Sequence, residues 1–228
     1  MKIYAIIPSG GVGKRINSSL PKQYIKVNGK ELIAYTLEIF QKCEEIDEII
    51  IPAQKDFFEL LFDIKEKYGL TKLTRILEGG SERQHSVYNA LQDIHANDED
   101  LVLVHDAARP LLPQQVLKNA IESAKTFDNA IVAIKAKDTI IKGDEFVEDY
   151  LNRNEICYVQ TPQIFKYKTL QNAMISSNKE NFIGSDESIL VHRASNSIRI
   201  VEGSSFNFKI TTDSDLDLFR IITHIKGL

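Results

Sequence analysis

Short, almost continuously apolar runs alternate along the chain with longer stretches of helical period. The short runs are residues 3–7, 48–52, 74–77, 101–105 and 130–135. Runs of this length with no polar alternation are what strands buried on both faces require. Between them, residues 31–42 place Ile33, Leu37 and Phe40 on one helical face. Residues 56–68 do the same with Phe57, Leu61 and Ile64, stopping at Gly69, a natural residue to follow a helix. Residues 114–127 carry Val116, Leu117, Ala120, Ile121 and Ala124. Strand–helix alternation predicts an α/β, Rossmann-like chain: a mostly parallel sheet with helices on both faces.

The texture changes after Lys135. Residues 138–153 are charged, with short β runs at 139–141 and 146–147 around a Lys142-Gly143-Asp144 turn. This reads as a hairpin off the main sheet, the pattern of a surface insertion or an oligomerisation arm. The core rhythm then returns with expected strands at 198–202 and 208–210. Thr212-Asp213 precedes a final helix over 214–225. The whole of 1–228 is expected to form one domain, with 136–155 as a protruding β-arm.

Composition narrows the class. The chain has 228 residues, 28 basic against 32 acidic side chains and a formal charge of −4. Hydrophobic residues make up 43 % and charged ones 26 %, as in ordinary globular proteins. The slight acidity argues against a nucleic-acid binder. The apolar runs are far shorter than the roughly 20 residues of a membrane helix. MKIYAIIPSGG lacks the features of a secretory signal. Cys43 and Cys157 do not make a disulfide framework, so two reduced thiols in a cytoplasmic protein are expected.

In open α/β sheets, ligands sit beyond the carboxyl ends of the strands. That directs attention to residues 8–15, 79–83 and 106–110. The first reads Pro8-Ser9-Gly10-Gly11-Val12-Gly13-Lys14-Arg15. Glycines let backbone N–H groups approach an anion closely. It is not a Walker A loop, because Lys14 is followed by Arg15 and Pro8 stands where the first glycine belongs. Nor is it a dinucleotide fingerprint, because Ile16 replaces the third glycine. Pro21-Lys22-Gln23 follows, so Arg15 and Lys22 are placed to flank a polyphosphate, one as a bidentate fork and one as a point charge. Asp106 ends a buried-looking strand, where a carboxylate suits Mg²⁺ or another divalent cation.

The pattern GGxGxR–x₅–PKQ resembles the signature of the sugar-phosphate nucleotidyltransferases. Four more motifs narrow the resemblance: Gly79-Gly80-Ser81-Glu82-Arg83-Gln84-His85-Ser86-Val87, His105-Asp106-Ala107-Ala108-Arg109-Pro110, Gln160-Thr161-Pro162-Gln163-Ile164-Phe165 and Asn207-Phe208-Lys209-Ile210-Thr211. Their order is similar to that in the 2-C-methyl-D-erythritol 4-phosphate cytidylyltransferase family. The resemblance implies CTP as a substrate, a polyol phosphate as acceptor, a divalent cation on Asp106 and catalysis by Arg15, Lys22 and Lys209. It implies nucleotide contacts from Pro8, Ser9, Gly10, Gly11, Gly13, Gly79, Gly80, Ser81, Ser86 and Ala107. It further implies acceptor contacts from Asp106, Arg109, Thr139, Arg153, Thr161 and Ser185. Of these, Thr139 and Arg153 would reach a partner subunit of a homodimer through the 136–155 arm.

Three other readings stand beside it. The sister ribitol-5-phosphate cytidylyltransferases share the loop, PKQ and TPQ motifs; Ala108 points away from them, whereas Gly10-Gly11 leans toward them. A catalytically dead nucleotide-binding module conflicts with the presence of Arg15, Lys22, Asp106, Arg153 and Lys209 together. A nucleotide-binding oxidoreductase fails on the third glycine.

Overall fold

The computed structural model describes residues 1–11 and 20–227. In chain order the elements begin with β1 (Ile3–Ile6), a short ribbon of β2 (Lys26–Val27) and β3 (Lys30–Glu31), and α1 (Leu32–Gln41). There follow β4 (Glu48–Ala53), α2 (Phe58–Lys67), β5 (Leu73–Glu78), α3 (Arg83–Asp93), β6 (Leu101–Val104), α4 (Gln114–Phe127) and β7 (Asn129–Lys135). The second half holds β8 (Ile140–Gly143), β9 (Val147–Leu151), β10 (Cys157–Lys166), α5 (Tyr167–Lys179), α6 (Glu187–Arg193), β11 (Arg199–Glu202) and α7 (Asp213–Lys226).

Seven strands form one sheet in the order β11-β7-β10-β6-β1-β4-β5. All pairings are parallel except those of β10, which runs antiparallel to both β6 and β7. The core lies on both faces of this sheet. Along β1, Ile3 and Ala5 pack into one layer with α1, α2 and α4, whereas Tyr4 and Ile6 pack into the other with α3, α5 and α6. That explains the unbroken apolar runs: neither face meets water. Because β1 connects outward to β4 and the chain later returns to β6 on its other side, the order reverses between β1 and β6. A crevice opens there beyond the strand ends.

Helices α1, α2 and α4 and the early parallel strands fall where the sequence predicts them. The strand expected at 208–210 does not form. Ile210 makes one backbone hydrogen bond, to the Ala108 carbonyl at 2.9 Å. Its side chain is buried against Leu216 and Phe219 of α7, so the apolar residues here serve a small satellite core and not a ladder. Helix α7 starts one residue earlier than expected, where Thr212 and Asp215 form a reciprocal capping box. Strand β10 and helices α3, α5 and α6 lie outside the elements read from the sequence. The 138–153 hairpin is present as β8 and β9, which pair only with each other. No helix among the described residues is long and apolar enough to cross a membrane.

Candidate active site

The crevice at the β1–β6 reversal is a cleft of about 920 Å³. Three loops meet in it. Pro8, Ser9, Gly10 and Gly11 come from the end of β1; Gly79, Gly80 and Ser81 from the β5–α3 turn, with Ser86 in the first turns of α3; Asp106 and Ala107 from the end of β6. Lys22 and Lys209 line the same space. Gly13 and Arg15 lie outside the described residues.

The first loop is held by glutamines. Gln23 Nε2 donates to the Ser9 carbonyl at 2.8 Å and the Gly11 carbonyl at 3.0 Å, and Gln54 Nε2 donates to the Gly10 carbonyl at 2.9 Å. Three consecutive carbonyls are thereby fixed from two sides. Gln23 belongs to the PKQ motif, and this geometry explains the glutamine: an amide supplies two donors that a carboxylate lacks. The neighbouring Tyr24 hydroxyl accepts from Ser9 Oγ at 3.0 Å.

The Gly79-Gly80 turn is tied into the protein through its backbone. Gly79 N–H donates to the Ala53 carbonyl at 2.8 Å and Gly80 N–H to Ser86 Oγ at 3.0 Å. The glycines are required for space. A Cβ on Gly80 would lie 2.3 Å from His85 Cβ, and one on Gly79 would lie 2.9 Å from Ser86 Oγ. Ser86 Oγ also donates to the Glu82 carbonyl at 3.1 Å, which fixes the hydroxyl at the cleft wall.

Asp106 is the electrostatic centre. Its Oδ1 lies 3.3 Å from Arg83 Nε, and its Oδ2 lies 3.1 Å from both Arg109 Nε and Lys209 Nζ. Burial by itself raises a carboxyl pKa, but the Arg83, Lys209 and Arg109 charges outweigh it and hold Asp106 far below the usual carboxylate range. Arg109 is committed inside the protein: it also donates to the Asn207 carbonyl at 2.7 Å and does not line the cleft. In this structure the residue expected at the acceptor phosphate is paired with Asp106.

Thr161 is likewise internal. It is 4 % exposed, and its hydroxyl accepts the Asp106 N–H at 3.0 Å. The single hydroxyl proton then goes to His105 Nδ1, 3.1 Å away, and His105 Nε2–H donates to the Arg109 carbonyl at 3.2 Å. Thr161, expected at the acceptor, thus supports the Asp106 backbone from within the chain. Ser185 is exposed at the start of α6 and does not line the cleft. Thr139 and Arg153 lie at the base of the hairpin, where Arg153 donates to the Lys137 carbonyl at 2.9 Å; neither lines this chain's cleft. Arg83, Gln54, Thr211 and Glu187 are site features that the sequence reading did not single out.

The hairpin carries unburied apolar residues. Phe146 is 82 % and Tyr150 69 % exposed, with Ile141 and Val147 beside them. Isolated exposed apolar residues are ordinary, whereas these are gathered on one two-stranded projection.

The profile of the 2-C-methyl-D-erythritol 4-phosphate cytidylyltransferase family matches residues 3–224. An enzyme of that name from Clostridium botulinum (strain Langeland) is 40 % identical over 215 residues, covering 93 % of each chain. One from Geotalea uraniireducens is 38 % identical, covering 95 % of this chain and 94 % of the other. Among solved structures, the 4-diphosphocytidyl-2C-methyl-D-erythritol synthase of Anaerococcus prevotii superposes with a TM-score of 0.86 at 29 % identity, covering 98 % of both chains. The Thermus thermophilus cytidylyltransferase does so at 0.81 and 27 %, covering 98 % of this chain and 100 % of that one. With the cleft at the sheet reversal and the ordered motifs around it, these likenesses show that the chain belongs to the 2-C-methyl-D-erythritol 4-phosphate cytidylyltransferase family.

Proposed function

We propose that the protein transfers the cytidylyl group of CTP to 2-C-methyl-D-erythritol 4-phosphate, forming 4-diphosphocytidyl-2-C-methyl-D-erythritol and pyrophosphate for isoprenoid biosynthesis. The observation that carries this reading is the meeting of Lys22, Lys209 and Asp106 with the Gly79–Gly80 wall in one cleft. A phosphate monoester has a second pKa near about 6, so the acceptor is already an anionic nucleophile at neutral pH. No general base is needed. An acceptor phosphate oxygen bonds to the α-phosphorus of CTP, the bond to the bridging oxygen breaks, and pyrophosphate leaves with its electron pair. The residues hold the triphosphate and spread its developing charge: Lys22 and Lys209, and by family resemblance Arg15. The cytosine lies against Gly79, Gly80 and Ser86.

The donor set fits a divalent cation in one manner only. Among the described residues no cluster of three or more carboxylate, imidazole or thiol groups forms a preformed cage. Mg²⁺ commonly takes one or two carboxylates plus substrate phosphates. Asp106 would be its single protein ligand, with phosphate oxygens completing the shell. Bound there, the ion would neutralise charge on the transferred group.

The test is pyrophosphate release from CTP and Mg²⁺ with either 2-C-methyl-D-erythritol 4-phosphate or D-ribitol 5-phosphate. Turnover with the first acceptor alone is expected. Turnover with ribitol phosphate alone would replace the acceptor and keep the chemistry, and silence with both would overturn the reading.

The hairpin completes the proposal. Thr139 and Arg153 are assigned to the acceptor site of a partner subunit, and the exposed Phe146 and Tyr150 to the contact between the two copies. Two-fold pairing of this kind is the commonest closed assembly. Phe146→Glu/Tyr150→Glu should shift the protein from dimer to monomer in analytical ultracentrifugation. The monomer should lose acceptor saturation while CTP binding persists. A variant that stays dimeric, or a monomer with unchanged acceptor KM, would overturn the shared site.

A further inference from the structure

Arg83 opens α3, directly after the glycine turn that bounds the cleft. Its guanidinium faces two carboxylates from distant parts of the chain. Nη1 lies 2.6 and 2.7 Å from the two oxygens of Glu187, and Nε lies 3.3 Å from Asp106 Oδ1. Glu187 is 1 % exposed and sits in the first turn of α6, two residues after Ser185. One planar group thus ties together the start of α3, the loop after β6 and the start of α6.

A buried ion pair is weak as a stabilising device, because desolvating both charges offsets much of their attraction. Its presence at this point has a clearer explanation in geometry. Asp106 Oδ2 is held by Arg109 and Lys209. With Oδ2 alone held, the carboxylate could still swing about its Cβ–Cγ bond. Arg83 holds the other oxygen and so fixes the plane. A lysine could not replace it, since a compact ammonium on a flexible stem does not face two carboxylates with fixed geometry. Glu187 keeps the Arg83 fork turned so that Nε, and not the Nη edge, meets Asp106.

We propose that Arg83 is a positioning residue of this active site, acting through Asp106, with Glu187 as the buried counterion that orients it. The inference rests on the functional reading above. Arg83 lines the cleft but has no place among the charges assigned there to the transferred phosphates, and Glu187, which holds it, does not itself line the cleft.

A double-mutant cycle tests this. Arg83→Met/Glu187→Met removes the pair as a unit and strands no buried charge. It is made in the wild-type and Asp106→Asn backgrounds and followed by pyrophosphate release. With Asp106 present, the paired substitution should lower kcat on the order of 10²-fold, the usual consequence of a misplaced catalytic group. It should leave the KM for CTP nearly unchanged. In the Asp106→Asn background the same substitution should cost less than about threefold, because residues acting through one another are not additive. Arg83→Lys carries the same cycle if the paired variant fails to fold. Losses that multiply across the two backgrounds would overturn the positioning role, since Arg83 would then act independently of Asp106. A wild-type protein that turns over neither acceptor would overturn the functional reading first, and this inference with it.

Discussion

Lys22→Ala should lower turnover by on the order of 10²–10³, the usual cost of removing one preorganised charge from a transition state that accumulates negative charge. The expectation rests on where Lys22 sits. It opens a single turn of 3₁₀ helix, Lys22–Tyr24, whose next two residues are buried. Gln23 and Tyr24 anchor that turn to the first loop through their own hydrogen bonds. Lys22 Nζ itself reaches across to the Ile210 carbonyl at 2.7 Å, and Lys22 and Lys209 both line the cleft. Truncating Lys22 removes a cation without disturbing the turn beneath it. The thermal midpoint should therefore move little while kcat falls. Lys22→Arg should restore only part of the rate, because a broad guanidinium fork does not occupy the place of a point charge. Steady-state pyrophosphate release alongside a thermal melt checks both statements. Near-wild-type turnover in a folded Lys22→Ala protein would remove Lys22 from the catalytic set.

The distribution of what was legible follows from the physics of each feature. Parallel strands buried on both faces announce themselves as unbroken apolar runs, and the loops that follow them carry glycines and charges because backbone and ligand meet there. Those signals are local. Strand β10 gave none: Gln160, Thr161 and Gln163 are polar, and Pro162 falls where its pairing with β7 shifts register. The interior satisfies most of their polar atoms, with Gln163 Nε2 left without a partner among the described residues. Gln160 Nε2 donates to the Ser204 carbonyl at 2.9 Å, and Gln163 Oε1 accepts the Ser188 N–H at 2.9 Å. Helix α3 was legible in principle, with Val87, Ala90, Leu91 and Ile94 at helical spacing, but its first turn was read as binding loop alone. The Arg83–Glu187 link joins residues 104 positions apart, and no local pattern reports such a pair. The same distance effect hides the internal partners of Thr161 and Arg109. A motif names the residues near a site but does not say which of them face the ligand and which hold the others in place.

His105 is one of those that hold others in place, and it leads to the second large expectation, a loss of stability on mild acidification. It is fully buried, packs edge-on against Phe40 with ring centroids 5.0 Å apart, and connects Thr161 to the Arg109 carbonyl. Burial pushes its pKa down to about 4 from an ordinary 6.5. Between those values the unfolded chain binds a proton that the folded protein refuses. Stability is therefore full above about pH 6.5 and falls as the pH drops toward 4. The slope approaches 1.4 kcal/mol per pH unit, and the whole interval amounts to roughly 3 kcal/mol, a large fraction of a typical folding free energy. Protonation would also reverse the hydrogen bond between Nδ1 and Thr161, since Nδ1–H would then donate to the hydroxyl oxygen. Denaturant unfolding at a series of pH values should show this slope in the wild type. His105→Asn keeps an acceptor for Thr161 but has no titratable ring. It should be less stable at pH 7 from lost packing, yet its curve should lack the His105 contribution between pH 6.5 and 4. Identical slopes in the two proteins would mean that His105 is protonated in the fold, and the Thr161–His105–Arg109 connection would then need the opposite proton assignment.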